Sequence, residues 1–163
     1  MSIESEIQKL VQAFPPHPLD ASAAFAEWGR THTSGPEFQR AVDGREWFEL
    51  EPALLERNHD ALVFFGPSSI ADYLPAYLAS VLRRDPELSA MPMFLFSVLT
   101  RGADPARFDA RFARLTDAQR RAIASALAAF EAEVAGTSRQ QDVTAALDSY
   151  WRSQLTEDSE GKV

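Results

Sequence analysis

Residues 47–82, WFELEPALLERNHDALVFFGPSSIADYLPAYLASVL, decide the fold, because apolar density peaks there and proline and glycine mark the boundaries. Gly66 and Pro67 act as punctuation. Proline fixes its own φ and has no N–H to lose, so it suits a first helical turn, and a helix is predicted to begin there. Ile70, Leu74, Tyr77, Leu78 and Val81 then recur at helical spacing, which places them on one core-facing side. Tyr73 and Tyr77 share a flank, where their phenols would reach for water or a buried acceptor. Pro75 lies between them. It either removes the hydrogen bond to the Ala71 carbonyl and kinks one continuous helix, or starts a second helix in its own first turn.

Working outward toward the N-terminus, Ser2 caps a helix whose Ile3, Ile7, Leu10, Val11 and Phe14 form an apolar stripe, stopped by Pro15 and Pro16. His17 falls in an extended connector between two prolines. A short helix over 19–28 is predicted, capped by Asp20 and closed by Gly29, with Phe25 and Trp28 on one face. A polar loop with His32 follows. Ser34 and Glu37 have the spacing of a capping box for a helix carrying Phe38, Ala41 and Val42 and stopping at Gly44. Pro52 begins another short helix with Leu54 and Leu55 inward.

Toward the C-terminus, Asp104 and Pro105 restart the chain as N-cap and first-turn proline. The resulting helix aligns Phe108, Phe112 and Leu115, with Arg107, Arg111 and Arg114 running beside them. Thr116 and Gln119 form a capping box for a long helix through Ile123, Leu127, Phe130 and Val134, ending at Gly136. Ser138 and Gln141 repeat the spacing before a last helix with Val143, Leu147, Tyr150, Trp151 and Leu155. Two short apolar runs, 61–65 and 93–99, suit buried strand as well as buried helix. Since every other segment is helical and no hairpin signal joins the two runs, they are read as helical. The expectation is an all-α, irregular single-domain bundle over 1–155, with about seven to nine helices, several of them short, and a disordered polar tail over 156–163. The alternative is an α+β fold with strands at 61–65 and 93–99.

The formal net charge is −8, and the N-terminal part holds the excess: residues 1–66 contain 5 basic and 11 acidic groups, against 11 and 13 in residues 67–163. An anionic surface repels nucleic-acid phosphates and acidic lipid headgroups, so neither nucleic acid nor membrane is expected as a partner. With no cysteine, the chain has neither disulfides nor thiolate chemistry. The acidic start MSIESEIQKL lacks the basic, then apolar, order of a signal peptide, and no run approaches bilayer length, so a cytoplasmic protein is expected.

Gly44-Arg45, Trp47, Leu50, Leu54, Asp60-Ala61-Leu62, Phe64-Phe65, Pro67 and the run Tyr73-Leu74-Pro75-Ala76-Tyr77-Leu78 form a recognisable series, continued by Arg114-Leu115-Thr116 and Gln119. This series resembles a family of small bacterial proteins of unknown function, over residues 44–82 and about 112–130. Asp72-Tyr73 stands where members often carry a bulky aromatic pair. The resemblance implies a helical bacterial domain and brings no activity with it.

Catalysis requires groups with matched pKa values within mutual reach. The three histidines occur as Pro-His-Pro, Thr-His-Thr and Asn-His-Asp, without metal-ligand spacing, so neither metal nor cofactor is expected. No nucleophile elbow, P-loop or dinucleotide fingerprint occurs. His59 beside Asp60 is the best acid–base pair, although Asp60 serves equally as an N-cap. Glu46, Glu49 and Glu51 flank Trp47 as a solvated acidic face. The arginines from Arg101 to Arg121 are expected to pair with the acidic N-terminal half, in the same molecule or a neighbouring one, with phosphate binding as the alternative. Trp47, Tyr73 and Tyr77, together with His59 and Asp60, form the candidate binding set, since tryptophan and tyrosine dominate interface hot spots; core packing is their competing role. The leading functional expectation is a non-enzymatic protein-binding module, immunity- or adaptor-like, with a basic partner. A ligand-binding protein or enzyme with a pocket near Pro75 is the alternative. A homo-oligomer subunit is the third, and would show exposed Phe or Trp on one helix face.

Overall fold

The computed structural model describes residues 2–22, 35–83 and 90–156. Among the described residues it contains eight α-helices and no strand: α1 (Ile3–Ala13), α2 (Gly35–Val42), α3 (Pro52–Arg57), α4 (Ile70–Arg83), α5 (Met91–Leu99), α6 (Pro105–Phe112), α7 (Asp117–Glu133) and α8 (Gln140–Ser149). Three 3₁₀ turns, Trp47–Glu49, His59–Val63 and Trp151–Leu155, complete the described elements. Neither ambiguous apolar run is a strand: residues 61–63 of the first lie in a 3₁₀ turn, and the second lies in α5.

α4 is the element around which the others pack. α1, α3, α5, α7 and the Trp47–Glu49 turn all lie against it. It is consequently buried on all sides from Tyr73 to Leu82, where the spacing had predicted one core-facing side. A helix that is apolar all round has no stable place except inside the packing, with roughly 1.5–3 kcal/mol for each large aliphatic side chain removed from water. The helix runs unbroken through Pro75, so the continuous alternative holds and the Ala71 carbonyl lacks its usual donor. It starts at Ile70, later than Gly66-Pro67 suggested. A turn intervenes, in which the Gly66 carbonyl accepts from the N–H groups of Ser69 (3.2 Å) and Ile70 (2.9 Å).

Local capping chemistry sets most of the other boundaries. Ser2 accepts from the Ser5 N–H at 3.2 Å, and Asp104 from the Arg107 N–H at 3.0 Å. Thr116 and Gln119 close their box reciprocally at 3.2 and 3.0 Å. Asp20 accepts from the Ser22 N–H at 2.9 Å, at the start of the segment whose Phe25, Trp28, Gly29 and His32 lie outside the described residues. Ser34, the first half of the expected box before α2, also lies outside them, as does the expected tail beyond Thr156. The Ser138–Gln141 expectation is corrected. α8 begins at Gln140 with Arg139 at the cap position, and the Gln140 side chain reaches back to the Gly136 N–H at 2.8 Å. The last helix also stops sooner than its periodicity suggested, at Ser149, and Trp151–Leu155 continue as a 3₁₀ turn.

α7 lies against α1 on one side and against α8 and the Trp151–Leu155 turn on another. The α1–α7 seam contains a polar clasp inside otherwise apolar packing. Ser125 Oγ donates to Glu6 Oε2 at 2.6 Å, and Lys9 Nζ contacts Glu6 Oε1 at 2.7 Å and Ser125 Oγ at 3.1 Å. The Glu6 side chain is fully buried, so both its oxygens are satisfied where water cannot reach them. No helix among the described residues is long and apolar enough to cross a membrane.

Candidate functional site

The five sequence-predicted site residues lie on three neighbouring elements but do not form one accessible constellation. Trp47 sits at the head of its 3₁₀ turn, 2% exposed, with its indole N–H donating to the Phe14 carbonyl at 2.8 Å. Tyr77 is fully buried, and its hydroxyl donates to the Asn58 carbonyl at 2.8 Å. Tyr73 stacks on Phe65 with ring centroids 4.7 Å apart, and its buried hydroxyl has no hydrogen-bond partner among the described residues. Burial pushes both phenols above the ordinary tyrosine range, with nearby carboxylates adding to the shift. These three aromatics are core residues, and none presents a face to a partner.

His59 opens the His59–Val63 turn, half-buried. Its Nδ1 lies 2.6 Å from the Glu56 carbonyl, which makes Nδ1 the protonated donor, and its ring packs on Phe94 at 4.4 Å. Asp60 lies within the same turn and is not its N-cap, a position that Asn58 holds. Of the groups expected to line a pocket near Pro75, Pro75 itself is buried and the Tyr77 hydroxyl is committed to main chain. Clefts of about 430 and 370 Å³ open elsewhere, the first beside α6 and the second between α1 and α7.

Around Trp47 the sequence signal divides. Trp47 points inward, and the next residue, Phe48, points outward with 43% of its surface exposed and its ring edge-on to the indole at 6.1 Å. Glu46 and Glu49 close a capping box over this turn, the Glu46 N–H donating to Glu49 Oε2 at 2.9 Å. Arg45 donates to the Glu49 carbonyl and lies 3.5 Å from Glu51. Glu49 and Glu51 remain solvent-exposed, so an apolar ring stands among carboxylates. The aromatic pair Trp47-Phe48 was visible in the sequence, but which ring turned outward was not. Among the described residues, no group of three or more His, Asp or Glu side chains is arranged to hold a metal ion.

Two arginines of the stripe reach the N-terminal half through its main chain. Arg111 donates to the carbonyls of Phe65 and Val63, both at 3.0 Å, and Arg107 to the Val63 carbonyl at 3.4 Å, so two arginines of α6 cap the end of the His59–Val63 turn. Arg101 grips Asp109 through two hydrogen bonds of 2.9 and 3.0 Å, and Arg120 lies 3.3 Å from Asp117. Carbonyls left free at a turn end attract cationic donors, which gives Arg107 and Arg111 a structural role at this turn. Among the described residues, the large exposed apolar side chains, Phe48, Met93 and Leu155, stand on three different elements.

Residues 7–155 match a family of unknown function (DUF6714), and the chain belongs to that family. The match extends well beyond the segments 44–82 and 112–130 that carried the resemblance. No curated protein and no solved structure matches the chain.

Proposed function

We propose that the protein is a non-enzymatic protein-binding module that takes a basic partner on the acidic surface around Phe48. The observation that carries this reading is the exposed Phe48 ring, held on a turn whose preceding residue is buried and capped, with Glu46, Glu49 and Glu51 beside it. An aromatic ring on a rigid turn binds with little loss of conformational freedom, and surrounding carboxylates select and steer cationic partners. The N-terminal excess of acids, 11 against 5 basic groups in residues 1–66, supports the same polarity. The binding set shifts accordingly, from the buried Trp47, Tyr73 and Tyr77 to the ring that Trp47 props outward.

Selection of displayed random peptides on the immobilised full chain tests this reading. Enriched sequences are expected to combine Lys or Arg with an apolar residue and to lose affinity as salt rises. Phe48→Ala should weaken a selected peptide about tenfold or more while changing stability by less than about 0.5 kcal/mol. Peptide binding that ignores both salt and Phe48→Ala would refute it.

A further inference from the structure

We propose that the cleft between α1, the N-terminal half of α7 and the Trp151–Leu155 turn is a binding site for a carboxylate borne on a short apolar chain. This site is independent of the Phe48 surface. The cleft holds about 370 Å³, within the range of small-ligand pockets. Its charged lining is cationic, Lys9 and Arg121, in a molecule whose net charge is −8.

The two cations are in different states. Lys9 Nζ is already placed by Glu6 Oε1 at 2.7 Å and Ser125 Oγ at 3.1 Å, which uses two of its three N–H donors and leaves the third for a ligand. The Arg121 side chain makes no hydrogen bond or ion pair among the described residues, and neither does that of Gln12 on the facing helix, which also lines the cleft. Buried Glu6 cancels one of the two positive charges, so the site offers one net charge, which suits a monoanion better than a phosphate dianion. Ala118, Ala122 and the exposed Leu155 supply the apolar wall against which a short chain would lie.

A free small organic acid and the C-terminus of a peptide both present this chemistry, and separate titrations distinguish them. The probes are sodium hexanoate, its neutral analogue hexanamide, and a short apolar peptide with either a free or an amidated C-terminus. Each is titrated into the isotope-labelled full chain and followed by amide shift changes in nuclear magnetic resonance. Hexanoate or the free-acid peptide is expected to shift amides of Gln12, Arg121, Ser125 and Leu155 saturably, and the tighter of the two identifies the source. Hexanamide and the amidated peptide should bind at least tenfold more weakly, as should the carboxylate on Arg121→Gln, because a charge-assisted hydrogen bond is lost in each case. Equal binding of the charged and neutral probes, or shifts that bypass this cleft, would overturn the proposal. The comparison of charged with neutral probes needs no variant, so it decides the matter even if Arg121→Gln misfolds.

Discussion

The hydroxyl of Tyr77 donates to the carbonyl of Asn58 across 2.8 Å, tying the centre of α4 to the residue at which α3 gives way to the His59–Val63 turn. Tyr73, one helical turn earlier, carries a buried hydroxyl with no partner among the described residues. The two phenols therefore invite opposite outcomes. Tyr77→Phe should cost about 1–3 kcal/mol, because a buried acceptor loses its donor, whereas Tyr73→Phe should be neutral or stabilising by up to about 1 kcal/mol. Urea denaturation of the two variants checks both signs. Both phenols are held above their ordinary pKa, so their contribution is complete below pH ~10 and is lost as the pH rises beyond it, by up to about 1.4 kcal/mol per pH unit for each tyrosine. Melting of Y73F/Y77F should accordingly fall less steeply than wild type on the alkaline side.

Asp72 is expected to oppose folding at neutral pH. Burial raises its carboxyl above the ordinary range more strongly than His17, 3.2 Å away, lowers it. A raised folded-state pKa means that the favourable contribution is complete below pH ~4 and is lost as the pH rises through the folded value. Asp72→Asn should therefore be more stable than wild type at pH 7, with the difference vanishing below pH ~4. Paired denaturation curves at the two pH values measure it.

The clasp between α1 and α7 should behave as a coupled unit. Ser125→Ala leaves Glu6 Oε2 without its 2.6 Å donor and is expected to cost about 1–2 kcal/mol. Lys9 is 46% exposed, so its ion pair with Glu6 is screened and contributes less than the hydroxyl bond. A double-mutant cycle of Glu6→Gln and Ser125→Ala should give a coupling of about 0.5–3 kcal/mol, and strict additivity would contradict it.

Gly44 and Gly136 adopt φ values of +74° and +81°, each just past the end of a helix. A Cβ at either site would meet nothing within 4 Å, so the penalty for alanine is conformational alone, about 1–2 kcal/mol. Gly102 has no such φ, and alanine there would make an ordinary 3.8 Å contact with Thr100. Thermal melts of the three variants should rank Gly102→Ala closest to wild type.

The features legible in the sequence are those set within a few residues. Ser2, Asp104 and the Thr116–Gln119 box cap helices as their spacing predicts, because donor and acceptor lie in the same turn. The Ser138 spacing misleads because Gln140 turns back to the Gly136 N–H, and the helix starts one residue beyond Ser138's cap position. Partners distant in sequence were not legible. Helical periodicity places Arg107 and Arg111 on one stripe, but only tertiary packing brings the Val63 carbonyl to them. The same holds for Phe48, whose outward turn depends on the Phe14 carbonyl that captures its neighbour Trp47. Glu6 did leave a trace, since it lies three residues after Ile3 and four before Leu10, on the apolar stripe of α1, where an unpartnered carboxylate would be costly.

The indole of Trp151 is fully buried and donates to the Leu99 carbonyl at 2.8 Å, as that of Trp47 does to Phe14. Each ring is thus a built-in optical gauge of a different closure, one where α1 meets the centre of the molecule and the other where the last turn meets α5. Chains retaining a single tryptophan at either position would time these two events separately by their own emission, with no dye attached.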